Sequence, residues 1–262
     1  MTFFSTQPRL FTAGRWLALT SLLVGASFLA AHLSAERKEP AASPLAGARQ
    51  LLLVVTGTWD AVNGTMRRFE RASDANAWKP VGAEISIVVG RNGLGWGRGL
   101  VTAQGEGPVK REGDGKSPAG VFRLSTAFGQ SKEPPSGWRL PYRFLGDDVE
   151  CVDDAQSGHY NQLATRSGGL ADWSSSEKMW LEPDYRWGVE VMQNAPAPLP
   201  NAGSCIFLHI WRGPDHPTAG CTAMDEGALT TTIAWIDPAR RPLLVQLPRG
   251  DYERLKAVWG LP

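Results

Sequence analysis

A mostly β, turn-rich fold is predicted by three observations. The chain holds 29 Gly and 19 Pro. Its apolar residues fall in short runs bounded by turn formers, and one stretch alone carries a convincing helical period. Leu51–Thr56 is a continuous apolar run closed by Gly57, which reads as a buried strand. Thr65–Glu70 and Ile85–Gly90 read as further strands. Gly93, Gly95, Gly97 and Gly99 alternate with larger residues, the pattern of a Gly-lined strand or tight hairpin. Val121–Thr126 follows a turn and reads as a strand. Residues 130–200 are rich in Pro, Gly, Ser and Trp and are expected to make long excursions over the core. Cys205–Trp211 is strongly apolar and reads as a strand. From Asp225 to about Asp237, Leu229, Ile233 and Ile236 repeat at helical spacing, with acids at the start and Pro238 past the end. Pro242–Leu247 is the last strand expected. No internal repeat is found.

At 262 residues the chain has room for one substantial domain with its own core. Hydrophobic residues at 42% and charged residues at 20% argue against wholesale disorder. Lys and Arg number 27 against 26 Asp and Glu, so no basic surplus exists to drive counterion release, and no nucleic-acid partner is expected.

Residues 1–15 carry Arg9 and Arg15 and no acid, and Trp16 to Leu33 is apolar. This reads as an export signal or a single membrane anchor over 1–35, with the rest of the chain outside the cytoplasm. Membrane contact is expected only through this segment. Residues 36–50 read as a linker of Pro, Ala and charge, and the domain proper is placed at 51–262.

The stretch GDGKSP (Gly113 to Pro118) contains Gly-Lys-Ser. A phosphate loop needs a glycine where Lys110 stands and a helix where Pro118 stands, so that reading fails. A Gly/Asp turn feeding the strand 121–126 fits better. The charge run Lys110–Glu112 reads as a solvated turn.

Chemistry concentrates between Gly203 and Met224, GSCIFLHIWRGPDHPTAGCTAM. In a strand, Cys205, Phe207, His209 and Trp211 share one face. Gly213-Pro214 and Pro217 turn the chain, which can bring Cys221 back beside His209. An ordinary thiol titrates at about 8.5, and a neighbouring imidazole can take its proton and later protonate a leaving amine. Gly220 would let substrate approach the backbone. The N–H groups of Gly220, Cys221 and Thr222 would face an oxyanion. Acyl transfer through a thioester is the reaction class these residues suit. The bland alternatives are a buried Cys acting as a small hydrophobe and a satisfied core His. His216 is a rival base. His159, near Asp153 and Asp154, reads as a polar loop residue. His209, His216 and Cys221 would supply three zinc ligands, but no Cys pair or spaced His pair accompanies them, and no metal is expected.

His209 followed by Thr218-Ala219-Gly220-Cys221 resembles the signature of the YkuD-type L,D-transpeptidase catalytic domain, a His, a variable turn, then Ser/Thr-x-Gly-Cys. EGDGKSPAGVF (Glu112 to Phe122) is similar to the turn and strand preceding the site in that family, and GSCIFLHIW fits one of its branches. The similar parts run from about residue 51 to the C-terminus. The resemblance implies a mostly β, sandwich-like catalytic domain in the cell envelope, with one helix after the catalytic Cys. It implies attack on a peptidoglycan stem tetrapeptide and transfer of the acyl group to an amine, without metal or other cofactor. Cys221 would be the nucleophile and His209 the general acid/base, with Gly220 and Thr218 shaping the oxyanion region. Carbapenems commonly acylate the family's cysteine.

Two positions depart from the family pattern. Ala219 stands where many members have His, and Ala223 where many have Arg. Arg212, close to the site in sequence, is a candidate to contact the substrate carboxylate instead. Transfer to water would make the protein an L,D-carboxypeptidase, and a wall-binding module without catalysis is a further alternative. Of the 11 tryptophans, Trp173, Trp180 or Trp187 would stack on glycan if exposed, although core filling suits most of them better. With Cys221 kept free as nucleophile, Cys151 and Cys205 are the one possible bridge, and the sequence does not lead us to expect it.

Overall fold

The computed structural model describes residues 43–166 and 171–262. The signal or anchor reading over 1–35, and the first part of the linker, lie outside these residues. Among the described residues no helix is long and apolar enough to cross a membrane.

The mostly β class holds. In chain order the strands are β1 (Gln50–Thr56), β2 (Asn63–Glu70), β3 (Lys79–Val88), β4 (Leu94–Trp96), β5 (Ser117–Gly129), β6 (Tyr142–Phe144), β7 (Val149–Val152), β8 (Leu163–Thr165), β9 (Ser176–Lys178), β10 (Trp187–Val191), β11 (Phe207–Ile210), β12 (Thr222–Met224) and β13 (Leu243–Pro248). Helix α1 (Glu226–Trp235) lies between β12 and β13, and α2 (Arg249–Trp259) follows β13.

Ten strands form one sheet, in the order β10-β11-β12-β3-β2-β1-β13-β5-β4 with β6 beside β5. Strand β10 pairs with β11 on one edge and with β5 on the other, which closes the sheet into a barrel-like ring. The register of β10 shifts between Val189 and Val191, and such a bulge adds the local bend that closure needs. A sheet closed on itself thus stands where two facing open layers were expected.

Strand β1 runs through the middle, parallel to β13 and antiparallel to β2, and all seven of its residues are buried. Its unbroken Leu/Val run is the composition of a strand covered on both faces. The core reaches further back than the expected boundary at 51: Leu45 and Ala48, assigned to the linker by composition, are fully buried in it. The alternating glycines form part of β4, which pairs with β5 in parallel and not as a hairpin. A Cβ on Gly99 would come within 2.2 Å of the Val121 carbonyl oxygen, so glycine is what lets this segment lie against β5.

Helix α1 begins at its cap Asp225, whose carboxylate accepts from the N–H of Gly227 at 2.8 Å and of Ala228 at 3.3 Å. It buries Leu229, Thr232 and Ile233. The second helix was not expected. It buries only Leu255 and Trp259, and no side chain caps its start, so its sequence signal is thin.

Residues 130–200 contain more order than an excursion. Strands β8-β7-β9 form a separate three-stranded sheet. Its centre is Glu150 on β7, 1% exposed at its side chain. Arg166 makes two bonds to this carboxylate at 2.8 Å each, Trp173 Nε1 donates to it at 2.8 Å, and Ser176 Oγ and Lys178 Nζ complete the set. Such saturation holds the Glu150 carboxyl well below the usual range, with Arg166 the largest cause. Trp173 is therefore buried in this sheet and is not an exposed stacking platform.

The same sheet is tied to the main one by a disulfide between Cys151 and Cys205, whose Cα atoms are 6.0 Å apart. This overturns the expectation that the two stay unpaired. Sequence separation hid the pairing, because β7 meets the segment before β11 only once both sheets are folded. Cys205 has φ +55, so the strand alternation read back to Ser204 breaks there and β11 begins at Phe207.

Candidate active site

Strands β11 and β12 run parallel, with His209 opposite Ala223 and Leu208 opposite Thr222. Continuing that register backward sets Cys221 opposite Phe207, two residues from His209 on the same face. Cys221 and His209 are thus diagonal neighbours, with backbones roughly 8 Å apart by strand geometry. Both line one cleft of about 360 Å³, together with Glu177, Glu182, Asp184, Tyr185, Trp211, Arg212, His216 and Thr218.

Cys221 is the free cysteine and is 6% exposed. The Phe207 N–H donates to its sulfur at 3.3 Å, and its S–H points to the Cys205 carbonyl at 3.5 Å. The disulfide therefore anchors the very segment that holds the free thiol. Burial pushes the Cys221 thiol up to about 12, and the nearby Glu177 carboxyl adds to this. His209 is also 6% exposed, and burial pushes it down to about 4. Its Nδ1 lies 2.7 Å from the Ile210 carbonyl. A carbonyl only accepts, so Nδ1 carries the proton and Nε2 keeps the lone pair. At neutral pH the pair rests as thiol and neutral imidazole.

The turn before Cys221 is braced from several sides. Its carbonyl accepts from Thr218 Oγ1 at 2.6 Å and from Ser117 Oγ at 2.7 Å. Thr218 Oγ1 in turn accepts the Gly220 N–H at 3.1 Å, so that backbone donor is occupied here and is not presented to an oxyanion. A Cβ on Gly220 would sit 3.2 Å from the Lys116 carbonyl oxygen and 3.5 Å from Ile206. The glycine is needed against the protein's own backbone rather than for substrate approach. Thr222 turns away from the cleft, its hydroxyl donating to Gln246 Oε1 at 2.7 Å.

Arg212 does face the cleft, where Asp184 at 2.7 Å and Glu182 at 3.1 Å hold its guanidinium at the rim. His216 also lines it, in the exposed turn. His159 instead pairs with Asp172 at 2.9 Å beside Trp173, on the small sheet. Among the described residues, no three or more His, Cys, Asp or Glu gather as a metal site.

Three side chains at the site escaped sequence reasoning. Lys110, placed in a solvated turn by its charged neighbours, is 5% exposed and lies behind Gly220. Its Nζ donates to Asp114 at 2.8 Å and to the Arg111 carbonyl at 2.7 Å. The GDGKSP turn is thus a cradle for a buried cation. Tyr185 packs edge-on against the His209 ring, with centroids 5.1 Å apart, and its hydroxyl donates to Glu177 at 2.7 Å. Both come from the stretch whose order composition did not reveal.

Comparison with family models, curated proteins and solved structures finds no match to this chain.

Proposed function

We propose that this protein is a cysteine acyltransferase of the L,D-transpeptidase kind, acting on peptidoglycan stem tetrapeptides in the cell envelope. The observation that carries the reading is a free thiol and an imidazole of fixed tautomer sharing the floor of one cleft. In this reading the Cys221 thiol gives its proton to His209 Nε2 as sulfur attacks the stem-peptide carbonyl. The imidazolium protonates the departing amine of the terminal D-residue. His209 then takes a proton from the acceptor amine, which resolves the thioester. The resting pair is neutral, so proton transfer accompanies attack and does not precede it. Arg212 at the rim is the cation available to a substrate carboxylate, competing there with Asp184 and Glu182.

The test is incubation with disaccharide tetrapeptide and analysis of the products. Released D-residue together with 3-3 linked dimer supports transfer to an amine. Tripeptide alone points to water as acceptor and an L,D-carboxypeptidase. Unchanged tetrapeptide contradicts the reading and leaves a wall-binding module.

A further inference from the structure

Glu177 is a half-buried carboxyl on the cleft wall, on β9 of the small sheet. Its hydrogen-bonding side-chain partner is Tyr185, whose hydroxyl donates to it at 2.7 Å. Tyr185 is 6% exposed, wedged edge-on among Phe128, Phe207 and His209. Its hydroxyl also faces the Cys221 sulfur within hydrogen-bonding reach. One phenol therefore stands between a carboxyl and the free thiol and has one proton to offer.

We infer that Glu177 and Tyr185 form a proton-operated clamp on Cys221, in which protonated Glu177 releases the Tyr185 hydroxyl to the sulfur and ionised Glu177 withdraws it. The inference rests on Cys221 being the reactive group of the proposed function and adds a regulation of that site. When Glu177 carries its proton, the carboxylic acid donates to the Tyr185 oxygen. Tyr185 then turns its O–H to the sulfur and stabilises the thiolate. When Glu177 loses that proton to solvent, Tyr185 must donate to the carboxylate. The thiolate then loses a donor and gains a neighbouring negative charge.

The surroundings favour such a switch near neutral pH. The groups facing Glu177 are Glu182, Asp153, Tyr185 and Cys221, with Asp184, His209, Arg212 and His216 around the same cleft. Arg212 is engaged by Glu182 and Asp184. Lys178 beside it on β9 turns to Glu150. Lys110, behind the thiol, is held by Asp114. Burial, with Glu182 and Asp153 adding to it, pushes Glu177 up to about 7. His209 is neutral well above pH 4 and does not titrate in the same window.

The experiment is the rate of Cys221 alkylation by iodoacetamide between pH 5.5 and 9.5, followed by intact mass on the unreduced protein. Cys151 and Cys205 are bonded and do not react. An isolated thiol gains tenfold per pH unit below its own titration. The clamp predicts a wild-type rate that rises by clearly less than this between pH 6 and 8. Glu177→Gln keeps a donor toward Tyr185 without the charge. It should match wild type at pH 5.5 and exceed it about tenfold at pH 9, the effect of one charge within a few Å. Tyr185→Phe should be slower than wild type at pH 5.5. A tenfold-per-unit rise throughout in the wild type overturns the clamp, whether or not either variant folds. Superimposable wild-type and Glu177→Gln profiles overturn it as well. Iodoacetamide reads the thiol alone, so a failure of stem-peptide acylation leaves this result standing, and the reverse also holds.

Discussion

The Nδ1–H of His209 donates to the carbonyl of its own neighbour Ile210 at 2.7 Å, so a backbone group does the orienting that a carboxylate does in many catalytic triads. A neutral acceptor leaves the imidazole weakly basic, in keeping with its push down to about 4 by burial. If His209 is the proton carrier, His209→Ala should retain Cys221 yet acylate about 10²–10⁴ times more slowly. Stopped-flow acylation of wild type and variant measures this, and equal rates would remove His209 from the chemistry.

The Cys151–Cys205 bridge closes a loop of 54 residues and fixes the segment whose carbonyl receives the Cys221 thiol. Unfolded protein without reductant should show one reactive thiol, and three after reduction. Cys151→Ala should lower unfolding stability by about 4 kcal/mol in the chain-entropy account. It should also slow acylation, because the tie between the two sheets is lost. Denaturant titration and thiol counting check both.

Acid stability follows from two groups moved in the same sense. The Glu150 carboxyl is held below its ordinary value of 4.5, so its stabilisation is complete above that value and is lost as it is protonated below it. His209 is pushed below its ordinary 6.5, so the unfolded chain takes up a proton first and stability falls from pH 6.5 toward about 4. Thermal unfolding should show a midpoint that drops through this range and more steeply below pH 4.5. Glu150→Gln should already be less stable at pH 7, by about 2–4 kcal/mol for a buried network broken on one side.

Glu177 acts in the opposite direction. Its folded value near 7 lies above the unfolded 4.5, so it favours the fold at low pH and that contribution is lost as pH rises through 7. Glu177→Gln should therefore be more stable than wild type at pH 8, by about 1–3 kcal/mol, and little changed at pH 5. Melting curves at the two pH values test the sign.

What the sequence disclosed was whatever local pattern encodes. The Leu51–Thr56 run, the Asp225 cap and the His209-to-Cys221 spacing each carry their signal within a dozen residues, and each is found where it was read. What it hid depends on long-range contact. Lys110 looks solvated beside Arg111 and Glu112 until the chain folds it behind Gly220. Glu177 and Tyr185 stand in a Pro- and Ser-rich stretch, and only the Glu150 network and the disulfide show why that stretch is ordered. The closed ring depends on β5 pairing with β10, strands far apart in the chain whose pairing no local period records.

The central claim is that Cys221 is an acylating nucleophile. The most direct measurement is intact and peptide mass spectrometry after incubation with a carbapenem. The account predicts one stoichiometric adduct, mapped to Cys221 and absent from Cys221→Ala. No adduct on the wild-type protein, or an adduct that persists in Cys221→Ala, would contradict it.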